Sequence, residues 1–226
     1  MTTADSEHTM NNDVQLGRIG EVIEANTGGF VAEAQLLHTP PALGSVAVIR
    51  DSGIDILAIV SSAETTPRDA GRRPTARGTD YQSEDEFYQR HPEISRLIRT
   101  VFSAVIVAHR SDGQLYPYLP PRPPRLHAFV YPGTVNDIDE LAKDPLTLQN
   151  IAAARMDTTN EFLPAAIRTL ASVQGSTRAQ EEYLRETGRR LVHFMRDDMQ
   201  GLQAVLAKIR PSPSKEHSVT SSNRDT

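Results

Sequence analysis

The 226-residue sequence predicts an α+β protein: a small antiparallel β-barrel of six strands with a helical insertion, followed by a C-terminal helical region. Three observations lead there. From Leu16 to Tyr131, short β-branched and apolar runs alternate with turns made of Gly, Asn, Asp and Pro. The stretch after Ser83 interrupts this rhythm with apolar residues at helical spacing, and beyond Pro132 the period is helical to about residue 210.

Taken in order, Arg18 to Ala25 is the first strand, and Asn26, Thr27, Gly28 and Gly29 supply a turn that tolerates positive φ. Phe30 to Leu37 places Phe30, Ala32, Ala34 and Leu36 on one face, as a half-buried strand requires. Thr39, Pro40, Pro41 and Gly44 break the pattern. Ser45 to Arg50 and Ile54 to Ser61 are β-branched runs joined through Asp51, Ser52 and Gly53, and Val101 to His109 and Ala128 to Tyr131 complete the six. Between them, residues 65–80 lack apolar character and read as a loop. Ser83 with Glu86 fits a capping box that opens the insertion near residues 83–99, where Phe87, Ile94, Leu97 and Ile98 line one side and Pro92 divides the stretch in two. Tyr116 to Arg125 holds five prolines, so it is extended and poor in ladder bonds: a strap closing the barrel, or a polyproline ligand for an aromatic groove.

In the C-terminal region, Thr158 with Glu161 predicts the cap of a helix running to about Val173, stopped by Gly175. Thr177 with Gln180 predicts the cap of a last helix to Ile209. Its stripe of Leu184, Leu191, Met195, Leu202, Leu206 and Ile209 packs within the subunit or against another chain. The expected organisation is thus a flexible tail over 1–15, a barrel over 16–132, a helical domain over 133–210 and a second flexible tail over 211–226, both tails too polar to offset ordering entropy.

Composition narrows function. The absence of cysteine removes disulfides, thiolate nucleophiles and cysteine metal sites. No apolar run approaches the ~18 residues of a membrane span, and the polar start lacks a signal peptide's apolar core, so a cytoplasmic location is expected. A formal charge of −5 disfavours a wholly electrostatic nucleic-acid coat and leaves room for a local basic patch.

Gly17-Arg18-Ile19-Gly20-Glu21-Val22, Phe30-Val31-Ala32, Leu43-Gly44-Ser45-Val46 and a fourth strand ending in Val60 together resemble the HAS-barrel family, the barrel carried by HerA translocases and ATP synthases. The continuation through Arg72-Arg73-Pro74-Thr75-Ala76-Arg77-Gly78, Tyr118 to Pro124, and His127-Ala128-Phe129-Val130 resembles bacterial proteins that keep this barrel without an attached motor. The resemblance implies a domain at the entrance of a ring-shaped ATPase that helps hold the ring together. The chain departs from the motor-bearing pattern where chemistry would be: it contains no Gly-x-x-x-x-Gly-Lys-Ser/Thr phosphate cradle, so no ATPase activity of its own and no cofactor is expected.

Arg68, Arg72, Arg73 and Arg77, opposed locally only by Asp69, form a basic cluster, and Arg122 and Arg125 add cations to the proline-rich reach. Their guanidinium forks suit a partner's carboxylates or a phosphate backbone; the alternative is a solvated loop paired to Glu84, Asp85 and Glu86. His109 and His127, at the ends of β segments, are expected to serve as structural hydrogen-bond partners and are placed to meet across a ladder. The expected function is a non-catalytic oligomerisation or docking module whose partner is a protein, a HerA-type ATPase ring in DNA processing being the one the resemblance suggests. Homo-oligomerisation, direct DNA binding by the Arg68–Arg77 loop and an enzyme assembled from distant residues are the alternatives.

Overall fold

The computed structural model describes residues 17–69, 71, 74–154 and 159–210. The segments predicted to be tails, the Thr158 cap, and Arg72 and Arg73 lie outside the described residues.

Among the described residues, seven strands form, β1 (Gly20–Asn26), β2 (Gly29–Ala34), β3 (Val46–Asp51), β4 (Ile54–Pro67), β5 (Ile98–Ser111), β6 (Gln114–Tyr116) and β7 (Phe129–Pro132). Six of them close a barrel in the order β1-β2-β5-β4-β3-β7, every neighbouring pair antiparallel, with β2 on β5 and β7 on β1 making the closing seams. The barrel and its six strands are therefore as the sequence predicts. The seventh strand, β6, is a short hairpin partner of β5 at the start of the segment read as ladder-poor. Turning at Asp112 and Gly113, both at positive φ, brings Tyr116 opposite His109.

β4 and β5 are 14 residues each, much longer than their apolar cores. The extra length comes from residues that composition assigned to loop (Thr65 to Pro67) and to helix (Ile98 and Arg99), drawn into pairs such as Thr65↔Thr100 and Pro67↔Ile98. Ladder bonds to a neighbouring strand override weak local preference there.

The barrel is filled by its own side chains. Val22, Phe30, Ala32, Ala47, Ile49, Ile56, Ala58, Val60, Phe102, Ala104, Ile106 and Val130 point inward and are all but inaccessible. Phe30 and Phe102 meet edge to face at 6.4 Å. Leu36, predicted to share that face, lies past the end of β2 and is exposed.

A second core covers the outside of one half of the barrel. Val46, Val48, Leu57, Ile59, Val107 and Ala108 face outward under five helices: α3 (Val135–Lys143), α4 (Pro145–Ala153), α5 (Thr159–Ser172), α6 (Thr177–Phe194) and α7 (Met199–Ile209). A register shift opposite Leu57 and Ala58 sets both Val107 and Ala108 on the helix-facing side. The stripe predicted for the last helix packs within the chain: Leu184, Leu191, Met195, Leu202 and Ile209 are buried in this core and Leu206 packs against it. That helix is not continuous. It stops at Phe194 and restarts at Met199, where the Asp198 side chain accepts the Gly201 N–H and caps the new turn. Its N-cap is Ser176, one residue before the predicted Thr177.

One guanidinium fastens the helices to the barrel. Arg110 on β5 donates to Asp55 on β4 at 3.1 Å and to Asp137 and Glu140 on α3, each at 2.7 Å. Asp137 also closes a capping box with Thr134, accepting the Thr134 N–H and returning its own N–H to the Thr134 hydroxyl. Burial works to raise the Asp137 pKa, but the bonds from Thr134 and Arg110 outweigh it and hold the carboxyl below its ordinary range. Among the described residues, no helix is long and apolar enough to cross a membrane.

Candidate docking cleft

The connection between β4 and β5 carries the insertion as two short helices, α1 (Glu84–Arg90) and α2 (Ile94–Leu97), divided at Pro92 as predicted. Ser83 caps α1 by accepting the Glu86 N–H, while Glu86 reaches back to the Gln82 N–H, one residue short of a reciprocal box. The insertion folds against the far ends of β4 and β5 and encloses an open cleft of about 670 Å³, within the range of ligand and peptide sites.

The cleft wall is the apolar side predicted for the insertion. Phe87, Ile94, Leu97 and Ile98 all line it, although Ile98 opens β5 instead of ending a helix. Aromatic packing holds the wall in place. Phe87 meets Tyr81, Tyr88 and His91 at ring separations of 5.1 to 5.6 Å, and the Tyr81 hydroxyl is 2.9 Å from Nε2 of His91. On the opposite side His38 sits at positive φ after β2, its N–H donating to the Thr100 hydroxyl and its ring bonded to the Tyr88 hydroxyl. The cleft is thereby tied both to the barrel and to the insertion.

Three arginines line it: Arg68, Arg77 and Arg96. Arg68 is engaged by Glu33 of β2 through two parallel N–H···O bonds of 2.6 and 3.2 Å, not by the acidic first turn of α1 that sequence offered. Arg77 and Arg96 are exposed. Of the six predicted contact residues, then, the fold brings Arg68 and Arg77 to one cleft. Arg122 and Arg125 lie elsewhere, on the proline-rich strap. Arg125 Nε donates to the buried carboxylate of Asp51 at 2.8 Å, and Arg122 is exposed.

The strap itself is built into the barrel. Asn150 of α4 donates to the carbonyls of Val107 and Pro117, and Pro120 and Pro124 are buried. His109 lies stacked on Tyr116 and donates its Nδ1 proton to the Tyr118 carbonyl at 3.0 Å, a structural role as expected. It does not meet His127, whose exposed ring bonds instead to Glu21 across the β1–β7 seam.

Sequence reasoning passed over His38, Tyr88 and Arg96. None carries a local motif: each reaches the cleft through pairing of β2 with β5 and folding of the insertion, contacts made between residues 50 or more positions apart in the case of His38 and Tyr88.

The class of protein is thus a closed six-stranded antiparallel barrel, filled by its own side chains and capped on one side by helices. Comparison with known proteins found no family model and no curated protein that matches this chain.

Proposed function

We propose that the protein is a non-catalytic docking module. The observation that carries this reading is the cleft of about 670 Å³ with an apolar wall and three arginines, set outside a barrel whose interior is occupied by packed side chains. An open, amphipathic recess beside a rigid scaffold suits recognition of another chain. The likeness of the barrel strands to the HAS-barrel family makes a ring-shaped ATPase of the HerA type the first partner to test, a step that rests on analogy of fold. Direct DNA binding is the second reading, favoured by the exposed guanidiniums of Arg77, Arg96 and Arg122. It is weakened by the carboxylate partners of Arg68 and Arg125.

The test is the mass of the purified chain, alone and mixed with a HerA-type ATPase. A stoichiometric complex is expected, lost on substituting Arg77→Glu and Arg96→Glu together. A strict monomer that forms no complex with the ring or any other protein overturns the docking reading. A duplex-DNA affinity that collapses between low and moderate salt would move the assignment to nucleic acid.

A further inference from the structure

β4 outruns its neighbour on one side. β3 and the residues just before it accompany β4 only as far as Val60, whose carbonyl accepts the Gly44 N–H and whose N–H donates to the Ser45 carbonyl. At Gly44 the chain turns away with φ +78°, seated so tightly against Ala165 and Ala166 of α5 that a Cβ would fall 2.4 Å from their backbone. From Ser62 to Pro67, β4 continues for six residues whose ladder partner among the described residues is β5.

The register says which backbone groups that leaves. The Arg68 N–H donates to the Leu97 carbonyl, so the pairs two residues apart in the same ladder, Thr66↔Arg99, Glu64↔Val101 and Ser62↔Ser103, direct their N–H and C=O groups toward β5. Ala63 and Thr65 lie between and direct theirs the other way, joined by the carbonyl of Pro67. Among the described residues neither Ala63 nor Thr65 has a backbone partner on that edge, and Ser62, Ala63, Glu64 and Thr65 are all exposed. The same strand then runs directly into the cleft, which Thr65, Thr66, Pro67 and Arg68 line.

We propose that the outer edge of β4 from Ser62 to Pro67 receives an extended, acidic segment of a partner protein as an added antiparallel or parallel strand. The partner's main chain bonds to Ala63 and Thr65, its carboxylates meet Arg77 and Arg96, and an apolar side chain enters between Phe87, Ile94 and Leu97. Main-chain bonds of this kind supply affinity and the adjoining pocket supplies selection. Arg77 and Arg96 select carboxylates on the occupant at the cleft, where Asp69 also lies, while the occupant's residue opposite Glu64 is uncharged. A second copy using both outward residues would pair Ala63 with Thr65 of its mate, setting Glu64 against Glu64, and like charges directly opposite destabilise a ladder. This inference rests on the docking reading and specifies its partner.

A random dodecapeptide library panned on the immobilised full-length chain tests it. Expected clones are acidic and β-branched, slow hydrogen exchange at the amides of Ala63 and Thr65, and lose roughly tenfold in affinity on Thr65→Pro, which removes an outward donor and no backbone bond to β5, together with the Thr65 hydroxyl's bond to Thr100. Arg77→Glu with Arg96→Glu, both outside β4, should weaken the same clones whether or not the proline variant folds. Clones indifferent to Thr65→Pro and without protection at residues 63 and 65 overturn strand addition while leaving docking intact; a library that yields no clone overturns it as well, and the ATPase mixture then judges docking separately. A dimer of the free chain that Thr65→Pro dissolves assigns the edge to a second copy and also overturns it.

Discussion

The two halves of the barrel live in different solvents. Strands β3, β4 and β5 have side chains buried on both faces over most of their barrel length, inward against Ile49, Ile56 and Ile106 and outward against the helical layer at Leu57, Ile59 and Val107. β1, β2 and β7 bury only the inward row, Val22, Phe30, Ala32 and Val130, and offer water the other. On that naked side, polar and cationic groups stand in for helices: Arg18 covers the Phe129 ring at 4.7 Å and His127 bonds to Glu21. The comparison teaches that closure of the barrel satisfies backbone groups on both halves alike, while stability and rigidity are concentrated where a second layer packs.

The largest expected break in that contrast comes from equivalent truncations on the two sides. Leu57→Ala, at a fully buried outward position under the helices, should cost roughly 3 kcal/mol, whereas Val31→Ala on the naked outer face should cost about 1 kcal/mol or less. Urea unfolding of both variants checks this, and equal losses would mean that the helices add little to the barrel.

Arg110→Ala comes next, with an expected loss of about 3 kcal/mol, because it strands the buried Asp137 carboxylate and detaches α3 from β4 and β5. A pH series sharpens the assignment. The Asp137 pKa is depressed in the folded state, so its contribution is present above the ordinary carboxylate range and disappears as pH falls through the lowered folded value. Asp137→Asn should therefore flatten the acid limb of the stability profile.

The smallest effect expected is at a helix cap. Asp198→Ala removes the acceptor for the Gly201 N–H where the last helix restarts and should cost about 1 kcal/mol, read as a modest fall in the thermal midpoint. If the naked half of the barrel exchanges its amides as slowly as the covered half in this variant and in the parent, the proposed gradient of rigidity is absent.

The distinction between the halves was already written in the chain. VAVI, ILAIV and VIVA are continuous apolar runs, the pattern of strands covered twice, whereas the first two strands alternate. The insertion's apolar wall was legible for the same reason, since Phe87, Ile94 and Leu97 recur at helical spacing on either side of Pro92. The long arm of β4 and β5 was not legible. Thr65, Thr66 and Pro67 have no periodic signal of their own and become strand only because Thr100, Arg99 and Ile98 lie opposite. Arg68 was picked out as a cation, but its partner Glu33 is 35 residues away on another strand.

By itself, the sequence determined the number of the barrel strands, the inward face of Phe30 and Ala32, the division of the insertion at Pro92 and the inward stripe of the last helices, because all of these follow from local periodicity and turn chemistry. Tertiary structure alone decided which arginines gather at the cleft, which are bound to Glu33 and Asp51, and where β4 is left with an uncovered edge. Those outcomes depend on which distant strands lie side by side, and pairing between residues far apart in the chain leaves no signature in the spacing of either.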